Sequence, residues 1–144
     1  MTRMFQHVVT VDLPLPPSVN KAYSARRGSF LTMKTASYRF WLRSVREMHG
    51  NGSDLPFMGT TKFGLWIDLP RSLKGDIDNR VKLLADIIKY PDGPDDYKLG
   101  VVQDDKLMRG LHVELCDGLA GDMCQVTVVS RGQWPQYVCM RMET

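Results

Sequence analysis

Between Lys62 and Leu69 the chain alternates without a break: Phe63, Leu65, Ile67 and Leu69 are large and apolar, and Gly64, Trp66 and Asp68 fill the positions between them. Only extended backbone puts every second residue on one face, so this segment predicts a β-strand. Pro70 closes it, because proline has no N–H to continue a ladder. The same period recurs at Val9, Val11 and Leu13, at Leu111, Val113 and Leu115, and at Cys124, Val126 and Val128. The segment 117–122, with two glycines, separates the last two runs and predicts a hairpin connection.

Elsewhere the period lengthens. From 33 or 34 to 48, Tyr38, Trp41, Leu42, Val45 and Met48 share one stripe at 100° per residue, which predicts an amphipathic helix ended by Gly50, Asn51 and Gly52. Phe40 falls off that stripe and is a candidate interface residue. A second helix is predicted from about 78 to 89, with Val81, Leu84 and Ile88 on one stripe, Ala85 beside it, and Tyr90 and Pro91 at its end. Residues 14–32 are rich in Pro, Ser, Gly and basic side chains with no apolar period, and read as an ordered loop. The order strand, helix, strand, helix, strand, strand predicts an α+β fold, a single domain over residues 1–144 in which helices pack against a mixed β-sheet. With 144 residues and 43% apolar content, the chain can bury a core without disulfides or a structural metal.

Cys116, Cys124 and Cys139 form no CxxC pair, and His7, His49 and His112 are scattered, so no zinc site is legible. An odd cysteine count without a recognisable signal peptide fits a reducing cytoplasm. No apolar run approaches the roughly 20 residues of a membrane helix, and a soluble cytoplasmic protein is expected. The net charge of +3 excludes little, but its distribution is uneven. Residues 1–50 hold eight Lys or Arg against Asp12 and Glu47. Arg39, Arg43 and Arg46, spaced by four and three, project together from the polar face of the first helix. They either form a solvated face or track a phosphate backbone.

Thirteen of the sixteen acidic residues are aspartates, whose short side chains suit hard cations as well as turns and caps. Asp76 and Asp78 stand two apart where a finished strand meets a starting helix. On a helix they would diverge by about 160°; on turning backbone they can converge. One of them could instead cap the helix, but a helix has one N-cap. Asp104 and Asp105 follow Val101 and Val102, and read either as a polar turn or as further ligands. If these pairs meet, their repulsion calls for a cation, and carboxylate oxygens suit Mg²⁺ or Mn²⁺ in phosphodiester hydrolysis. Lys82 follows Asp78 by four residues, the spacing of an ion pair, and would also put an ammonium beside that cation.

The run DIDNRVK at 76–82, QDD at 103–105 and PPSVNKAY at 16–23 together resemble, in order, three landmarks of the RusA family of Holliday junction resolvases, and they span most of the chain. The resemblance implies an Mg²⁺- or Mn²⁺-dependent crossover junction endodeoxyribonuclease that acts as a homodimer and nicks two symmetrically placed strands of a four-way DNA junction; many relatives are phage or prophage encoded. It implies that Asp76, Asp78 and Asp105 are catalytic metal ligands and Lys82 the essential basic residue, with Asp104 an adjacent acid. DNA contacts would come from Arg26, Arg27, Arg39, Arg43 and Arg46, and from Asn20 and Lys21, which could equally serve an ordinary loop. Two departures stand out. Residues 92–100 are longer than in short family members, and the tail from 131 to 144, with Trp134 and Tyr137, matches no family feature.

Overall fold

The strand around Ile67 lies inside the main sheet rather than at its edge. The computed structural model describes residues 6–18, 23–25, 32–75 and 77–143. In chain order these form β1 (Val8–Pro14), β2 (Tyr23–Ala25), β3 (Thr32–Lys34), α1 (Ala36–His49), β4 (Phe63–Pro70), α2 (Asp78–Ile87), a 3-10 turn (Asp105–Leu107), β5 (Met108–Cys116), β6 (Met123–Ser130) and α3 (Trp134–Met142). The main sheet is mixed, with strand order β1-β6-β4-β5. β1 and β4 both run antiparallel to β6, while β4 and β5 are parallel. The fold is therefore the expected α+β arrangement.

Two expectations need correction. The segment 117–122 is not a hairpin, because β4 lies between β5 and β6. A strand buried on both faces gains more in the middle of a sheet than at an edge, and β4 is buried at every position. The segment 14–32 is not wholly loop: β2 lies within it and pairs antiparallel with β3, which takes residues 33 and 34 from the expected helix, so that α1 starts at Ala36.

The core lies between the sheet and its first two helices. Val9, Val11 and Leu13 of β1, Phe63, Leu65, Ile67 and Leu69 of β4, and Val126 and Val128 of β6 meet Tyr38, Trp41 and Val45 of α1 and Leu83, Leu84 and Ile87 of α2. Thr35 caps α1 by accepting from the Tyr38 N–H at 3.3 Å. The helix docks on β1 through Trp41 Nε1, which donates to the Pro14 carbonyl at 2.8 Å, and through His49 Nε2, which donates to that of Asp12 at 2.6 Å. Met48, placed on the apolar stripe by its spacing, is exposed at the last turn.

On the other face of the sheet, β4 and its neighbours are covered by α3, an element with no counterpart among the sequence expectations, while Val8, Thr10 and Asp12 of β1 stay exposed. Gly64 and Gly110 are cross-strand partners, and a Cβ on either would overlap the Trp134 ring. Two glycines thus make the slot that receives this indole. Beside it, the fully buried Trp66 stacks on His112 at 3.7 Å and donates from Nε1 to Asp68 at 3.1 Å. Asp68 is 2% exposed and accepts from Arg141 Nη2 at 2.8 and 3.0 Å, while Arg141 Nη1 donates to the Tyr137 hydroxyl at 2.9 Å. A buried carboxylate is tolerable only with such partners.

A carboxylate cleft between the second helix and the edge strand

After Pro70 the chain turns through Gly75, whose φ of +95° suits a residue without a Cβ, and enters α2. The N-cap position is Ile77, and no side chain caps the helix. Capping therefore does not account for Asp78, which sits exposed in the first turn, where the positive end of the helix favours an anion. Lys82 is exposed one turn later, and among the described residues it forms no ion pair with Asp78 or any other acid. The i to i+4 pair expected from the spacing is not made, so the ammonium faces the opening. Asp76 lies outside the described residues.

Asp105 reaches the same place from a distant part of the chain. Residues 92–98 loop out from α2 and return, and Leu99, Gly100, Val101 and Val102 donate backbone hydrogen bonds to Ile87, Lys89 and Ile88 at 2.7–3.1 Å. The Gln103 N–H then donates to Gly59 at 3.1 Å. The long segment thus closes on its own starting point, and its length does not carry Asp104 and Asp105 away from α2. At its base Lys98, 9% exposed, donates to Asp86 at 2.5 Å and lies 3.4 Å from Asp96.

The paired acids divide their work. Asp104 caps the 3-10 turn, accepting from the Lys106 N–H at 3.0 Å, as the polar-turn reading required. That bond, and one shared with Asp105, hold its carboxyl below the ordinary value. Asp105 is held above it, first by the hydrogen bond with Asp104 and then by burial, with Lys89 pulling the other way. The raised value of Asp105 shows that the adjacent carboxylate outweighs the nearby Lys89.

Asp78, Lys82 and Asp105 line one cleft of about 820 Å³, together with Gly75, Ile77, Val81 and Ala85 from the α2 side and Met108, Leu111 and Val113 from β5. Its floor is apolar and its charges stand at the rim. Among the described residues no three His, Cys, Asp or Glu form a group able to hold a metal; two carboxylates, Asp78 and Asp105, reach the cleft. Carboxylate oxygens without His or Cys fit a hard dication rather than zinc.

The basic residues do not all join this site. Asn20, Lys21, Arg26 and Arg27 lie outside the described residues. Arg39, Arg43 and Arg46 are exposed on α1 and line a separate depression with Leu42, Asp95 and Tyr97, sharing no residue with the cleft. Arg46 stacks 4.5 Å over the Tyr97 ring, whose hydroxyl donates to the Gly50 carbonyl at 2.6 Å. The arginine row is thus partly engaged by the long loop rather than wholly solvated. Phe40 is 68% exposed and borders a groove of about 990 Å³ that includes Pro14, Pro16, Pro17 and Arg80.

One charge near the site went unread in the sequence. Lys89 pairs with Asp86 at 3.0 Å and acts on Asp105 through its field; its pKa is raised by the Asp86 hydrogen bond, against the effect of burial. The signal was present, since Lys82, Asp86 and Lys89 fall at spacings of four and three on one helix side. Compared with known proteins, the chain matches no protein-family model and no curated sequence. Among the described residues no helix is long and apolar enough to cross a membrane.

Proposed function

We propose that the chain is a divalent-metal-dependent, structure-selective DNA endonuclease that resolves four-way junctions by paired symmetric nicks, as the resemblance to the RusA family implies. The observation that carries this reading is the common cleft of Asp78, Lys82 and Asp105, which come from separate segments. Asp78 and Asp105, with Asp76 two residues before Asp78 in sequence, would hold Mg²⁺ or Mn²⁺. Such an ion supplies water activation and charge stabilisation for phosphodiester hydrolysis.

The chain's own groups have distinct tasks. Lys82 at the rim holds a non-bridging phosphate oxygen and offsets charge that develops in the transition state. Asp104 and burial raise the pKa of Asp105, and only its ionised form ligates a cation, so cation affinity rises with pH through the carboxylate range. Arg39 and Arg43 grip the phosphate backbone without regard to sequence, and that grip weakens with salt. Paired nicks require two copies, and a homodimer supplies them.

The test is cleavage of a mobile four-way junction, a replication fork and a linear duplex, with and without Mg²⁺, by the wild type and Asp105→Asn. Preferential junction nicking that needs Mg²⁺ and is lost in the variant supports the reading. Equal cleavage without metal, or unchanged processing by Asp105→Asn, refutes it; preference for the fork moves the substrate, not the chemistry.

A further inference from the structure

Arg80, in the first turn of α2, points away from the row of Lys82, Asp86 and Lys89 and ties together two loops remote in sequence. Its Nη1 donates to the Pro16 carbonyl at 2.5 Å, and its Nη2 reaches the Lys74 carbonyl at 3.4 Å. Its backbone N–H also donates to Ile77 at 3.2 Å. Pro16 belongs to the loop after β1, and Lys74 opens the turn whose Gly75 and Ile77 line the cleft. One planar guanidinium therefore spans both loops, which an ammonium cannot do in the same way.

This arrangement is a poor way to gain stability alone. Arg80 Nε is buried, with no hydrogen-bond partner among the described residues, and an apolar side chain of similar size would avoid stranding a donor. What the arginine adds is a fixed relation between the two carbonyls. We infer that Arg80 is a positioning residue, which sets the turn at 74–77 against the loop at Pro16 and so aligns the cleft's carboxylate wall for hydrolysis. The catalytic consequence rests on the nuclease reading; the bridge does not.

The experiment compares wild type, Arg80→Gln and Arg80→Lys by backbone amide exchange and by junction cleavage. In Arg80→Gln, exchange at the hydrogen-bonded amides of Leu73 and Leu15, one in each loop, should accelerate together by at least about tenfold while amides of β4 and β6 keep their protection. Arg80→Lys should restore one of the two sites at most. With saturating Mg²⁺, kcat should fall by at least about tenfold in Arg80→Gln, with KM within about twofold of wild type. Acceleration at one loop only, at neither, or across the whole sheet overturns the inference, as does full recovery of both loops by lysine. A wild type that cleaves no branched DNA defeats the nuclease reading alone, and the exchange pattern still decides the bridge.

Discussion

The covered face of the sheet and the open cleft beside α2 treat charge in opposite ways. Under α3, Asp68 has three donated hydrogen bonds, from Trp66 and twice from Arg141, and Arg141 itself reaches Tyr137. At the cleft, Asp78 and Lys82 make no ion pair among the described residues, and Asp105 shares a hydrogen bond with another acid. A satisfied buried network secures the docking of one helix in one orientation. Unmatched charge at an opening contributes little to the fold, and it is what a ligand of opposite charge would complete. The contrast predicts that the two regions separate stability from activity.

The sharpest break would come from Asp78→Asn. Junction cleavage in Mg²⁺ should fall by about 100-fold or more, while the melting temperature moves by no more than about 2 °C. A large loss of stability would show that the cleft acids support the fold after all. Asp68→Ala tests the other side. It removes the buried acceptor shared by Arg141 Nη2 and the Trp66 N–H and should cost about 3 kcal/mol in denaturant unfolding, with cleavage per folded molecule unchanged.

Gly64→Ala refines the account of the covered face, since its methyl would enter the Trp134 ring. About 2 kcal/mol should be lost. Adding Trp134→Ala should cost less in that background than in the wild type, and denaturant midpoints of the four chains measure the coupling. Additive losses would mean that the indole does not occupy the glycine slot.

The smallest effect concerns Asp86, the acid that stays close to the cleft but is paired. Burial raises its pKa, yet the hydrogen bonds and fields of Lys98 and Lys89 outweigh this and hold it below the ordinary carboxylate value. A lowered folded pKa stabilises the native state above the unfolded value, and that contribution disappears as pH falls through the folded one. Asp86→Asn should therefore cost about 1 kcal/mol near neutral pH, after allowance for solvent screening, and should flatten the acid limb of a melting-temperature profile. An unchanged limb would place Asp86 with the unpaired charges of the cleft.

Much of this was legible in the chain itself. Alternation marked β1, β4, β5 and β6 and named their core faces, and a helical stripe marked α1 and α2, because these patterns depend on backbone geometry alone. α3 escaped notice although Trp134, Tyr137 and Arg141 recur at helical spacing. Its sheet-facing stripe is half-buried, and aromatic and charged rather than aliphatic, so it makes sense only against Trp66 and Asp68.

What residue spacing determined, then, was the local structure and the cluster of acids where β4 gives way to α2. Tertiary packing decided the rest. Period two tells which side of a strand is apolar but not which strand lies beside it, so the insertion of β4 between β5 and β6 followed only from the need to bury both of its faces. In the same way, Asp105 joins Asp78 because hydrogen bonds along residues 99–103 return the chain to the end of α2. No spacing in the sequence encodes that distance, since it is set by what the intervening loop packs against.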